Sequence, residues 1–369
     1  MSDIEYMRRA LRLAERGAGW VNPNPQVGCV IVRDGEIIGE GWHKKYGGLH
    51  AEREALAACT REPKGATAYV TLEPCCHTGK QPPCCEALIE AGIKRVVMGA
   101  PDPNPLVAGK GIAWLKEAGI EVTEHVAEDE CRQLNKAWMH YITTGMPYVT
   151  MKYAMTLDGK IATHCGESKW ITGETARAKV HADRQAAAAV LVGIGTVLAD
   201  DPLLTCRIKG QQTRNPVRVV ADSNLRTPLD SQLVKTAGEV PTIIACSIIS
   251  DHAKADALTN AGCTVLELPG ADGTVDLKAL FSYLGKHDID SCIVEGGASM
   301  HWSLLQSGCV NRVQAYIAAK LFGGQSAPSP IGGTGVNLPS EALLLNHPTV
   351  TELGDDLLIE CEVPSCSLA

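Results

Sequence analysis

The sequence lacks three features that mark particular classes of protein. No run of apolar residues approaches the roughly 18 positions of a transmembrane helix, so no membrane span is predicted. The first ten residues are those of an amphipathic helix and have no signal-peptide apolar core, so export is not expected. Basic residues are in the minority, with 34 Lys and Arg against 42 Asp and Glu, and the net charge of −8 disfavours extended binding of nucleic-acid phosphates. A small-molecule ligand is the better expectation.

Cysteine, by contrast, is abundant. The chain has 15 cysteines and no export signal, which indicates free or metal-bound thiols in a reducing cytoplasm. Its 369 residues are enough for two domains, each with its own core. The composition therefore predicts a cytoplasmic protein of two domains.

Strands and helices alternate along both halves of the chain. A helix over 3–16 precedes a hairpin that turns at Asp34-Gly35, and short strands and helices then alternate as far as residue 123. A connecting helix is predicted over 128–143. Beyond it, apolar strands separated by helices predict a largely parallel sheet that is buried on both faces. We expect an α/β protein with a three-layer domain over 1–145 and a second domain over 146–369.

Four residues between positions 50 and 84 are typical of a catalytic zinc site. His50, Cys75 and Cys84 are ligands of the type that zinc prefers, and three protein ligands leave a fourth position open. Glu52 lies in the predicted first turn of a helix, two residues after His50, so both side chains can face the same end. A His-x-Glu motif followed by Pro-Cys and a further Cys is the signature of zinc nucleobase deaminases, in which the glutamate transfers protons.

Three neighbouring residues compete as ligands: Cys76, His77 and Cys85. Cys85 falls on the apolar face of the helix predicted to follow it, whereas Cys84 falls at the N-terminus of that helix, where the helix dipole favours a thiolate. We therefore prefer Cys84 to Cys85, and Cys75 to Cys76.

Two glycine turns in the second half could hold a phosphate. Gly193-Ile-Gly195 and Gly296-Gly297 each follow a predicted strand, and backbone N–H groups at a helix start can bind such an anion. Neither turn is the Gly-x-Gly-x-x-Gly of an ordinary dinucleotide fold, and each could equally be only a tight turn. The residues that could form a substrate-phosphate site nearby, or could equally be surface charges, are Asp200, Asp201, Arg184, Arg207, Arg218 and Arg226.

Together these motifs resemble one family over essentially the whole chain. The first half carries Pro23-Asn-Pro-Gln-Val-Gly-Cys-Val-Ile-Val, His50-Ala-Glu, Leu72-Glu-Pro-Cys-Cys-His, Pro82-Pro-Cys and Asp102-Pro-Asn-Pro. The second half carries Lys152-Tyr-Ala-Met-Thr-Leu-Asp-Gly-Lys, Ser168-Lys-Trp-Ile-Thr, Val192-Gly-Ile-Gly-Thr-Val-Leu-Ala-Asp-Asp-Pro, Arg218-Val-Val-Ala-Asp-Ser and Val294-Glu-Gly-Gly. The family is that of the bifunctional riboflavin-biosynthesis enzymes, in which a diaminohydroxyphosphoribosylaminopyrimidine deaminase is fused to a 5-amino-6-(5-phosphoribosylamino)uracil reductase.

The resemblance implies a cytidine-deaminase-like first domain and a dihydrofolate-reductase-like second domain that uses NADPH. In the first, zinc held by His50, Cys75 and Cys84 would activate water for attack on the amino-bearing carbon of a phosphorylated pyrimidine, while Glu52 shuttles protons. In the second, the ribosyl chain would be reduced to ribityl. The resemblance also implies a homo-oligomer, a dimer formed through the reductase domain, with no nucleic-acid or membrane partner.

Carried over position by position, the resemblance assigns contacts in the second domain. The NADPH site would be lined by Ala154, Trp170, Thr196, Asp200, Ser223, Gly297, Ala298, Ser299, Met300, His301 and Trp302. The phosphorylated substrate would meet Ser168, Arg184, Leu204, Arg207 and Glu295. Departures from the usual pattern lie at Ala186–Ala189, Asn311 and Ala319, outside these sets, so we expect the chemistry to be retained.

Two other interpretations fit part of the sequence. A deaminase that acts on a nucleic acid such as tRNA would share the zinc signature, but the acidic charge and the large second domain speak against it. A zinc-stabilised binding module would need the ligands without an acid-base group, so the presence of Glu52 favours an enzyme.

Overall fold

The computed structural model describes residues 1–364. The chain divides into two compact units, Met1–Gly145 and Met146–Ala369. Within the described residues, no helix is both long enough and apolar enough to cross a membrane.

The first unit contains a five-stranded mixed sheet. Its order is β2-β1-β3-β4-β5, with β1 antiparallel to β2 and β3, and with β3, β4 and β5 parallel. The strands are β1 (Gly28–Arg33), β2 (Glu36–Trp42), β3 (Thr67–Leu72), β4 (Arg95–Ala100) and β5 (Glu121–Thr123). The helices are α1 (Asp3–Ala14), α2 (Ala51–Ala57), α3 (Cys84–Glu90), α4 (Lys110–Glu117), α5 (Glu128–Leu134) and α6 (Lys136–Thr144).

Two apolar clusters cover the opposite faces of this sheet and make the unit three-layered. One cluster packs α2, α3 and α4 against strand residues such as Ile31 and Val70. The other packs α1, α5 and α6 against the alternate residues, such as Val30 and Tyr69. Helices α2 and α3, which begin at the predicted zinc ligands His50 and Cys84, therefore lie on the same face of the sheet.

The predicted connecting helix over 128–143 is interrupted at Asn135. The side chain of Asn135 accepts a hydrogen bond from the backbone N–H of Gln26 and donates one to its carbonyl, both at 2.8 Å. Asn135 leaves the helical conformation, with φ −102° and ψ 17°, and separates α5 from α6. A partner more than a hundred positions earlier in the chain therefore sets this break.

The second unit contains a nine-stranded sheet in the order β10-β9-β8-β7-β11-β6-β12-β14-β13. The strands are β6 (Tyr148–Thr156), β7 (Ala189–Gly193), β8 (Val217–Ala221), β9 (Thr242–Cys246), β10 (Thr264–Glu267), β11 (Ser291–Val294), β12 (Arg312–Ala318), β13 (Asn346–Leu353) and β14 (Asp356–Glu362). The helices are α7 (Glu174–Ala186), α8 (Ile194–Asp200), α9 (Gln232–Lys235), α10 (His252–Asn260), α11 (Leu277–Lys286) and α12 (Ala298–Ser307).

Seven of these strands, β6 to β12, run parallel to one another, and the central strands β7 and β11 are buried on both faces as predicted. Leu191 packs with α11 and α12 on one face, and its neighbours Val190 and Val192 pack with α8, α9 and α10 on the other. Helix α7 continues through Ala186, and β7 begins three residues later, at Ala189.

The antiparallel hairpin of β13 and β14 is not predicted from the sequence. Strand β14 pairs antiparallel with β12, and β13 pairs with β14 at the edge of the sheet. Nearly all of β13 is exposed, so it has no apolar period that would predict it.

Candidate functional sites

Three backbone elements bring the predicted zinc ligands together. His50 is the N-cap residue of α2, and Glu52 lies in the first turn of that helix. Strand β3 ends at Leu72, three residues before Cys75, and α3 begins at Cys84. The long stretch between Cys75 and Cys84 does not separate them, since the backbone N–H of Cys84 donates to Cys75 Sγ at 3.3 Å.

The geometry of the three side chains fits a zinc ion. His50 Nδ1 lies 3.5 Å from Cys75 Sγ and 3.4 Å from Cys84 Sγ, and the three ligand atoms lie within 4.8 Å of one another. Ligands at zinc–sulfur and zinc–nitrogen distances of about 2.3 and 2.0 Å, separated by a tetrahedral angle, would be about 3.5 Å apart. The donor set is thus of the right kind and spacing for zinc with one open position.

The environment of the same residues suits proton transfer. Glu52 is only 3% exposed. Its burial and the nearby Cys75 sulfur raise the pKa of its carboxyl above that of an exposed glutamate, which suits a group that takes up and releases a proton. The hydrogen bond from Cys84 lowers the pKa of Cys75, despite its burial, and His50 lowers it further, which favours a thiolate ligand.

The competing ligands lie elsewhere. Cys85 Sγ donates to the carbonyls of Pro74 and Gly111 within an apolar cluster, and Cys76 Sγ faces the carbonyl of Leu106. His77 is not part of the group of metal-type ligands found among the described residues. The arrangement supports the preference for Cys75 and Cys84.

Glu73, which is not among the residues predicted from the sequence, holds the turn before Cys75. Its buried carboxylate accepts four backbone hydrogen bonds of 3.1 to 3.3 Å. The donors are the N–H groups of Asp102, Gly109, Gly111 and Ile112, so the carboxylate joins the end of β3 to the N-terminus of α4. A charged residue directly after a buried strand is the signal that could have identified it.

The second unit has a cavity of about 550 Å³ at the C-terminal ends of β7, β8 and β11. Strands β8, β9 and β10 lie on one side of β7, and β11, β6 and β12 lie on the other. Ligands bind at such a switch point of a parallel sheet. Both glycine turns contribute to the wall, through Gly193, Gly195 and Gly297.

The structure brings most of the predicted cofactor residues to this cavity. The predicted residues in its wall are Thr196, Asp200, Ser223, Gly297, Ala298, Ser299 and Met300, together with Ser168 from the substrate set. Helix α12 begins at Ala298 and has ten residues, and its first three residues lie in the cavity wall. The free N–H groups of such a helix start suit a pyrophosphate. The cavity and its donors fit a dinucleotide.

Four predicted cofactor residues lie outside the cavity wall. His301 is 2% exposed and binds the carbonyl of Pro330 through Nδ1, at 2.8 Å. The ring of Trp302 lies against Gly333, and Trp170 is exposed with the Arg177 guanidinium 4.7 Å from its ring centre. Ala154 packs with a small cluster around Tyr316.

The predicted substrate residues form a second group. Arg184 makes a two-pronged ion pair with Glu295, with both N–O distances 2.6 Å. Arg184 also donates to the carbonyl of Thr205, next to Leu204, and Arg207 donates to the Thr205 hydroxyl. Burial raises the pKa of Glu295, but the charge of Arg184 outweighs this and lowers it to about 2.

Lys152, on β6, is a further polar residue in this region to which no role had been given. Burial lowers the pKa of its ammonium group, while the charge of Glu295 opposes that shift. Its Nζ atom lies 5.5 Å from the ring centre of Tyr316, whose hydroxyl donates to Asp183. A lysine in the middle of an apolar central strand was the available signal.

Family models match both halves of the chain. Residues 1–100 match the cytidine and deoxycytidylate deaminase zinc-binding region, and residues 147–359 match the RibD C-terminal domain. The predicted fold class is thereby confirmed.

Full-length relatives agree with these matches. The chain is 53% identical to the riboflavin biosynthesis protein RibD of Actinobacillus pleuropneumoniae, over 99% of this chain and 96% of that protein. It is 44% identical to RibD of Escherichia coli K12, over 88% of this chain and 89% of that protein. Among solved structures, Acinetobacter baumannii RibD superposes with a TM-score of 0.87 at 39% identity, covering 98% of this chain and 99% of that one. A deaminase/reductase of Thermotoga maritima gives 0.84 at 37% identity, with the same coverage.

Proposed function

The chain belongs to the RibD family of bifunctional riboflavin-biosynthesis proteins, and we propose how its residues divide the two reactions. The protein catalyses hydrolytic deamination of a diaminopyrimidinone ribosyl phosphate to 5-amino-6-(5-phosphoribosylamino)uracil. It then catalyses NADPH-dependent reduction of the ribosyl chain to ribityl. Zinc and NADPH are the cofactors.

We assign deamination to the site on α2 and α3. His50, Cys75 and Cys84 hold zinc, which when bound supplies a Lewis acid that activates water for attack on the ring. Glu52 would accept a proton from the attacking water and deliver it to the departing amine. Glu73 fixes the turn that carries Cys75.

We assign reduction to the cavity of the second unit. NADPH would bind along Thr196, Ser223 and the start of α12, and would supply the hydride. Ser168 and the group around Arg184 and Glu295 would position the ribosyl phosphate. Arg207 is exposed and so is the available cation for the phosphate. His301, Trp302, Ala154 and Trp170 would support this site from outside the cavity wall.

We further assign a dimer formed through the reductase unit. Strand β13 is an exposed edge, and apolar side chains lie on and before it, with Leu344 75% and Val350 62% exposed. An exposed edge strand pairs readily with a second chain. Light scattering should give twice the chain mass, and Val350→Lys should shift the protein toward monomer. A monomeric wild type would refute the assignment.

We infer a cytoplasmic location from the chemistry of the thiols. Every cysteine in the described part of the chain is free, which suits a reducing compartment. Fractionation of cells that express the chain should place it with cytoplasmic enzymes.

The observation that carries the proposal is the convergence of His50, Cys75 and Cys84 beside a buried glutamate. NADPH absorbance is followed after the diaminopyrimidinone ribosyl phosphate is added to wild type and to Glu52→Ala. Oxidation by the wild type alone is expected, because reduction follows deamination. Oxidation by both would show that Glu52 is not needed for the path to reduction, and oxidation by neither would refute the assignment as a whole.

A further inference from the structure

The loop after β8 presents one cation to the cavity. Arg226 is the single lysine or arginine in the cavity wall, and it is exposed. Among residues 1–364, its guanidinium forms no ion pair and no side-chain hydrogen bond. An unpaired arginine at the rim of a cavity is a ready partner for a phosphate.

Asp222, the carboxylate in the same loop as Arg226, does not line the cavity. Asp222 is fully buried, and its Oδ2 accepts hydrogen bonds of 2.7 Å from both the N–H and the hydroxyl of Thr227. In dinucleotide sites that use NAD, an acidic side chain in this region binds the ribose 2′-hydroxyl, whereas an arginine accommodates the 2′-phosphate of NADP. Here the acid is committed to the core, and Ser223 and Arg226 reach the cavity instead.

The same contacts fix the shape of the loop. The N–H of Leu225 donates to the carbonyl of Asp222 at 3.1 Å, and Leu225 is buried with a left-handed φ of 50°. Residues 222–227 are therefore a closed turn whose ends are joined, so the backbone of Arg226 is already fixed and only its side chain has to be ordered at binding.

The order of the strands sets which end of a dinucleotide would lie here. Glu295, which follows β11, and Lys152 on β6 belong to the side of β7 where the substrate group lies, and β8 is on the other side. With the pyrophosphate at the start of α12, the nicotinamide end would face the substrate group and the adenosine end would face β8. Arg226 thus lies at the adenosine end.

We infer that Arg226, together with Ser223, binds the 2′-phosphate of NADPH and makes the reductase select NADPH over NADH. This inference rests on the proposed placement of NADPH in the cavity. Asp222 is a positioning residue that acts through the turn, because its carboxylate contacts Thr227 and not the cavity.

The test is calorimetric binding of NADPH and NADH to the full chain without substrate. Arg226→Gln should weaken NADPH binding about 10- to 100-fold, as expected for the loss of a charged contact, and should change NADH binding by less than about twofold. Lys235→Gln is the matched control, since this exposed lysine lies outside the cavity wall, and it should change neither affinity. Equal loss of both affinities in Arg226→Gln, or no loss of either, overturns the inference.

A further variant separates this inference from the placement of the cofactor. A Cβ atom at Gly195 would meet no atom within 4 Å, so the backbone accepts a side chain there, and the indole of Gly195→Trp should occupy part of the cavity whose wall Gly195 lines. This variant should bind both NADPH and NADH more weakly than the wild type. If it weakens neither, the placement in the cavity is wrong. If it weakens both and Arg226→Gln keeps full NADPH affinity, the placement stands and the inference about Arg226 fails.

Discussion

Arg184 and Glu295 form a buried, two-pronged ion pair with both N–O distances 2.6 Å and side-chain exposures of 12% and 8%. Removing one member of such a pair leaves an uncompensated charge, at a cost of about 3–5 kcal/mol. We expect Glu295→Gln to lower reductase activity and the free energy of unfolding of the second unit. Ammonia release by the first unit should be unchanged. Denaturant titration with both activity assays checks this, and an equal loss of ammonia release would contradict it.

The stabilisation from Glu295 should also depend on pH. The pKa of this carboxyl is lowered to about 2 in the folded protein from an ordinary 4.5. The folded state therefore binds fewer protons than the unfolded state between these values, so the stabilisation is complete above about pH 4.5 and is lost as the pH falls toward 2. The difference in unfolding free energy between wild type and Glu295→Gln should be constant from pH 6 to 8 and shrink below about pH 4.5. A difference that grows on acidification would contradict the assignment.

Asp102 should have the opposite pH dependence. Burial raises the pKa of its carboxyl to about 7, with a smaller effect from Glu73. Here the folded state binds more protons than the unfolded state between about pH 4 and 7, so stability falls as the pH rises through that range. Asp102→Asn keeps an acceptor for the N–H of Asn104, which lies 2.7 Å away, and should remove the fall. Thermal unfolding at pH 5 and pH 8 measures this loss of stability in the wild type and in the variant. An equal loss in the variant would rule out Asp102 as the source.

Glu73→Gln should weaken zinc binding. A carboxamide offers one acceptor oxygen and an NH₂ group that faces donors, so up to two of the four backbone N–H groups lose their partner, at about 1–3 kcal/mol each. The turn before Cys75 should loosen, and competition with a chelator should show a lower zinc affinity. Glu90→Gln, an exposed change on α3, is the control and should keep the affinity of the wild type. Unchanged zinc affinity in Glu73→Gln would show that the turn does not depend on this carboxylate.

Zinc removal should separate the two activities. A chelator that removes zinc from His50, Cys75 and Cys84 should abolish ammonia release, because the activated water is lost. NADPH oxidation with 5-amino-6-(5-phosphoribosylamino)uracil as substrate should continue, since none of the predicted zinc ligands belongs to the second unit. Loss of both activities, restored together by zinc, would contradict the division.

The parts of the fold that depend on local sequence could be predicted. The strands and helices around His50 and Cys84 follow from apolar periods and turn residues, and the ligand set follows from residue type and spacing. The preference for Cys84 over Cys85 needed only the side of the helix on which each falls.

The parts that depend on distant partners could not. The break at Asn135 requires Gln26, and the role of Glu73 requires four backbone groups between Asp102 and Ile112. Likewise, whether Asp222 faces the cavity or the core depends on Thr227 and on the packing beneath it. The sequence identifies these residues, but it does not give the direction in which their side chains point.

The contact between Trp302 and Gly333 has a consequence for mutational scanning. Gly333 is exposed and would be scored as a tolerant surface position, yet a Cβ atom there would lie 2.1 Å from the Trp302 ring, and its φ is 76°. Every codon change that replaces this glycine must therefore displace an indole ring in addition to straining the backbone. In a saturation library, every substitution at position 333 should be depleted, as at a core position.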